Sequence, residues 1–104
     1  MRTAKMWSLV IRIKRNDTTR GKRAHILILD ILKKGGITGA TVWTGVDGYG
    51  KRGKSTLHME GIAVNMPLII EAIDELEKLE KILPEIKAVV DDNGLITMQE
   101  IGVI

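Results

Sequence analysis

The chain has no cysteine and no phenylalanine, and its aromatic side chains are two tryptophans and one tyrosine. Without cysteine, disulfide frameworks and thiolate-held metals are excluded. So few aromatics weigh against a module that stacks RNA bases on its strands. Proline occurs only at Pro67 and Pro84, and no linker or low-complexity tract interrupts the chain. No segment approaches the ~20 apolar residues of a membrane span, and the first residues run into a short alternating stretch rather than a leader. The expectation is one domain over residues 1–104, cytoplasmic, with no integral membrane segment.

Isoleucine, lysine and glutamate are abundant, a composition that leans towards a thermophilic source. The net charge is only +3, but its distribution is uneven. Arg12 to Arg23 carries six of the sixteen cations, whereas Glu71 to Glu85 carries six carboxylates against Lys78 and Lys81. This predicts one basic and one acidic face. On a helix, the acidic stretch reads as a solvated outer surface paired with its own lysines.

Met6 to Lys14 alternates, with Trp7, Leu9, Ile11 and Ile13 on one side, and reads as a strand. Asn16 to Gly21 reads as a polar loop. Lys22 to Lys34 has helical spacing and should stop at Gly35-Gly36. A second strand is expected over Thr38 to Val46, a loop over Asp47 to Thr56, and a third strand over Pro67 to Ile73. The link from Leu57 to Met66 is open between strand and irregular chain. Asp74 and Glu77 suggest a capping box for a second helix, which Pro84 should bend or restart. Asp91-Asp92-Asn93-Gly94 is a turn, and Leu95 to Ile104 a last strand.

That order, β-α-β-β-α-β, is the ferredoxin-like α+β arrangement. Two helices cover only one face of a four-stranded sheet, and Met6 and Val10 would share the other. Such a face is normally buried against another subunit, so an oligomer is expected.

The loop after the second strand is the main functional signal. Gly48 to Lys54 contains three glycines and three cations, Lys51, Arg52 and Lys54. Glycine permits close backbone approach to a ligand, and the cations supply charge for an anion. Gly48 to Ser55 also fits the Walker A pattern, whose lysine and hydroxyl serve phosphates and magnesium. A true P-loop opens directly into a helix, whereas Thr56-Leu57-His58-Met59-Glu60-Gly61 has no helical face. Anion binding in another geometry is the better expectation.

Arg20-Gly21-Lys22, Gly36-Ile37-Thr38-Gly39-Ala40-Thr41-Val42 and Gly45-Val46-Asp47-Gly48-Tyr49-Gly50 resemble a known family. So do Pro67-Leu68-Ile69-Ile70-Glu71, Leu83-Pro84-Glu85 and Gly94-Leu95-Ile96-Thr97. Together they resemble the small PII-like proteins of domain-of-unknown-function family 190, over essentially the whole chain. The resemblance implies a PII-like subunit in a homotrimer, with an adenine nucleotide (AMP, ADP or ATP) in the clefts between subunits. It also implies a T-loop, here about Asp47 to Met66, that docks on a transporter or enzyme target. The positions this gives to the nucleotide are Arg20, Lys22, Gly45, Gly48, Tyr49, Gly50, Lys51, Arg52 and Lys54.

One departure stands out. PII relatives usually offer glycine and a basic residue to the phosphates after the second helix. Here that turn is Asp91-Asp92-Asn93-Gly94, which would repel an oligophosphate more than a monophosphate.

No catalytic residue and no metal ligand is expected. His25 and His58 are isolated histidines with no partnering cysteine, and Trp7 and Trp43 read as core or interface residues. The competing readings are an RNA-binding module of the same fold and, behind it, a nucleotide-hydrolysing enzyme using Lys54 and Ser55. The first lacks the RNP1 pattern and the second a general base, so nucleic acid and catalysis rank below a regulator.

Overall fold

A computed structural model describes residues 2–50, 53–54 and 65–104. Lys51, Arg52, Ser55, His58 and nearly all of the link from Leu57 to Met66 lie outside the described residues.

Strands β1 (Ala4–Lys14), β4 (Ala40–Thr44), β7 (Pro67–Asp74) and β8 (Leu95–Val103) form one antiparallel sheet in the order β4-β7-β1-β8. With helices α1 (Ala24–Lys34) and α2 (Leu76–Val90) as its two crossovers, this is the expected ferredoxin-like topology. The alternation in β1 directs Leu9, Ile11 and Ile13 to the helices, opposite Leu68, Ile70 and Ala72 of β7. Ile28 and Leu32 of α1 and Leu79, Ile82, Ile86 and Val90 of α2 close the core from above. Burying these side chains away from water is the main favourable term in the fold.

Helix α1 ends as the double glycine predicts. Gly36 takes φ +76°, its amide donates to the Lys33 carbonyl, and the Ile37 amide reaches back to Leu32 (3.1 Å). This is a Schellman cap, and Ile37 is buried behind it. The helix begins at Ala24 rather than Lys22. Two further short strands, β2 (Thr18–Thr19) and β3 (Lys22–Arg23), pair as a hairpin in the expected polar loop. Arg20 and Gly21, at its tip, both have positive φ (55° and 77°), as a two-residue turn matched to strand twist requires. The hairpin rests on α2 through the Thr19 hydroxyl, which donates to the Val89 carbonyl (3.0 Å).

One expectation at α2 is corrected and another is narrowed. No capping box forms, because Asp74 is the last residue of β7 and Glu75 holds the cap position without a side-chain bond. The Asp74 carboxylate instead accepts from the Thr38 amide (2.9 Å), the Thr38 hydroxyl (3.1 Å) and the Glu75 amide (2.8 Å). Pro84 neither restarts nor ends the helix, which continues to Val90. Packing of Leu79, Ile82, Ile86 and Val90 on the sheet offsets the missing donor. The last strand is continuous as far as Val103.

The other sheet face carries no helix. Met6, Val10, Trp43, Ile69, Ile73, Leu95, Ile101 and Val103 lie on it by strand register. At its centre the Ser8 hydroxyl donates to Glu71 Oε2 (2.9 Å).

Candidate functional site

At one end of the sheet, β1 finishes, β7 and β8 begin, and the chain leaving β4 returns across them. Register places Arg12 beside Leu95 and Ile69, Ile13 beside Leu68, and Lys14 beside Pro67. A cavity of about 460 Å³ opens here; Ile69 and Leu95 give it apolar surface, and the core residues Ile13 and Leu68 border it. That volume lies in the range of small-molecule sites.

The cations on its wall are Arg12 and Lys14, two residues apart and therefore on the same side of β1. Neither forms an ion pair with another described residue. The Lys14 amide donates to Asp17 Oδ2 (2.9 Å), and the Asp17 amide returns a bond to the Lys14 carbonyl (3.0 Å). These bonds tie down the turn that follows the strand.

Gly48, Tyr49 and Gly50 form a second wall. Their approach depends on Gly45, whose amide donates to the Pro67 carbonyl (2.8 Å). A Cβ on Gly45 would lie 2.7 Å from the proline ring, so a larger residue would push the loop base away. Beyond it, β5 (Tyr49–Gly50) pairs with β6 (Gly53–Lys54) in a small hairpin. Tyr49 is 90% exposed, so its ring stands at the cavity mouth with little of its own packing.

The third wall is the turn after α2, through Asp92, Asn93 and Gly94. Asp91 takes φ 51° and ψ −133°, a conformation seldom adopted outside glycine. It is held by the Asp91 amide donating to the Lys87 carbonyl (2.7 Å) and by Lys87 Nζ donating to the Asp91 carbonyl (3.0 Å). Gly94 packs so closely on β1 that a Cβ would collide with the Arg12 carbonyl.

Of the residues expected from the sequence, Gly48, Tyr49 and Gly50 line the cavity, and Gly45 braces its edge. Arg20 and Lys22 do not line it; they sit in the β2–β3 hairpin. Lys51 and Arg52 fall outside the described residues, and Lys54 is placed only as a strand position opposite Tyr49. That pairing also removes the P-loop reading, since Gly53–Lys54 is a strand where a helix should begin.

Arg12 and Lys14 belong to the cation-rich stretch seen in the sequence but were not among the positions given to the nucleotide. The available signal was their position at the end of a side that otherwise carries Met6 and Val10.

Outside the cavity, His25 has a buried Nδ1 with no partner among the described residues. Burial, together with Arg15 and Arg23, holds its pKa below the ordinary 6.5, so it is neutral at pH 7. Trp7 is half-buried against the core and Trp43 is on the open face. Among the described residues no cluster suited to a metal ion occurs, and no helix is long and apolar enough to cross a membrane.

The sequence profile of the family DUF190, described as "Uncharacterized ACR", matches residues 6–103. A UPF0166 protein of Methanocaldococcus jannaschii is 38% identical over 92 residues, covering 88% of this chain and 85% of that protein. One from Aquifex aeolicus is 35% identical over 105 residues, covering 100% and 98%. Among solved structures, CPII from Thiomonas intermedia superposes with a TM-score of 0.78 at 17% identity, over 98% of this chain and 91% of that one. CPII is a nitrogen regulatory PII-like protein, and that structure holds ADP, AMP and bicarbonate. A putative PII-like signaling protein from Thermus thermophilus gives a TM-score of 0.74 at 13% identity, over 100% and 94%. At such identities the likeness is one of fold.

Proposed function

Because the chain belongs to the DUF190 family and has the PII-like fold, we propose that it is a non-enzymatic regulator that binds an adenine nucleotide in the sheet-end cavity. The observation that carries this reading is the cavity's composition. The apolar surface of Ile69 and Leu95 suits a base, Arg12 and Lys14 suit a phosphate, and Gly48 and Gly50 leave room for close approach. CPII, a protein of the same fold, binds ADP and AMP, which supports the ligand class.

The nucleotide cleft lies between subunits of a homotrimer. Arg12, Ile69 and Leu95 both line the cavity and belong to the open sheet face. Copies that assemble through that face place the cavity at their boundary. The loop beyond Gly50 is the T-loop, and its cations Lys51, Arg52 and Lys54 meet an acidic surface on a transporter or enzyme target. The protein acts from the cytoplasm.

Isothermal titration with AMP, ADP and ATP, run beside light scattering, tests the reading. Saturable binding of one nucleotide per subunit in a trimer is the expected result. Silence across all three nucleotides contradicts it.

A further inference from the structure

We infer that the acidic turn after α2 makes this site selective for nucleotides with a single phosphate, with Asp92 as the discriminating residue; the inference rests on the nucleotide reading above. The cavity has two poles. Arg12 and Lys14 stand on the β1 wall, and Asp92 stands on the turn that forms another wall. Neither pole is neutralised by an ion pair with another described residue. A single phosphate matches the two cations. Each further phosphate adds negative charge with no added cation on the described walls, and it does so in a cleft that already holds a carboxylate.

The turn cannot swing away to relieve that repulsion. Gly94 is wedged against the Arg12 carbonyl, Val90 and Ile13. The Asn93 amide is bonded to the Val90 carbonyl (3.0 Å), and both backbone groups of Asp91 are tied to Lys87. The positive φ of Asp91 adds a second observation, because strain of this kind persists only where the surroundings over-determine it. The backbone that carries Asp92 is thus held at the cavity wall, with its exposed carboxylate beside it. A like charge near the further phosphates weakens their binding by up to about tenfold.

The test titrates the full chain with AMP, ADP and ATP, with and without magnesium, and repeats the series on Asp92→Asn. Asp92 is exposed, so the variant should melt with the wild type, and a melting curve checks this. The expected order is AMP tighter than ADP and ADP tighter than ATP, with AMP favoured over ATP by about tenfold. Asp92→Asn should narrow that ratio to about twofold, chiefly by improving ATP. ATP binding as tightly as AMP, or a ratio unmoved by Asp92→Asn, overturns the inference and leaves the nucleotide reading standing. Tight ATP binding only with magnesium also overturns it, since the turn would then be a metal-bridged phosphate site. If none of the three binds, the underlying reading falls and the selectivity with it.

Discussion

A methyl group at position 94 would collide with the Arg12 carbonyl and crowd Ile13 and Val90. Backbone gives way poorly, so Gly94→Ala should cost about 1–3 kcal/mol in chemical denaturation, and should weaken nucleotide binding by shifting the turn from the cavity. Asp74 is a second residue whose role is geometric. Burial raises its pKa, but the Thr38 and Glu75 amides, the Thr38 hydroxyl and Lys78 outweigh this and hold it below 3.8. A carboxylate with a depressed folded pKa contributes stability that is present above its unfolded value and lost as pH falls through the folded one. Thermal stability of the wild type should therefore fall below about pH 3.8, while Asp74→Asn should lose about 1–3 kcal/mol at neutral pH and show a flatter acid response. The sequence marked Asp74 as a helix cap because local spacing is all it displays. Its actual partner Thr38 lies 36 positions away.

The elements legible in the sequence were those with a long, one-sided pattern. β1 alternates over its whole length, α1 ends in a double glycine, and β7 opens with Pro67. The short hairpins β2–β3 and β5–β6 were not legible, because two-residue strands carry no periodicity. Pro84 does not restart α2: its cost is local, whereas the compensation comes from four buried residues spread along the helix. Since Pro84 is exposed, replacing it forfeits little packing. Pro84→Ala should raise stability by about 1–3 kcal/mol, read from the denaturant midpoint at unchanged slope. A fall in stability would mean that the ring makes contacts that matter more than the missing amide. For the site, the glycine loop was visible from composition, but Arg12 and Lys14 were hidden in a strand. Only the register with Leu95 and Pro67 brings them to the cavity.

At the scale of the molecule, one sheet face is covered by two helices, and the other carries Met6, Val10, Ile69, Ile73, Leu95 and Ile101 with the Ser8–Glu71 bond among them. Apolar surface of that kind favours association. Light scattering should give three times the 11.5 kDa chain mass, and Val10→Glu, which puts a charge at the centre of that face, should shift the mass towards one chain. The central claim is that a nucleotide occupies the end of the sheet between β1, the loop base and the turn after α2. Amide chemical-shift mapping on addition of AMP addresses it directly. The account predicts perturbations concentrated at Arg12 to Lys14, Gly48 to Gly50 and Asp92 to Leu95. Saturable binding with shifts confined to the β2–β3 hairpin, or spread without regard to these residues, would contradict it.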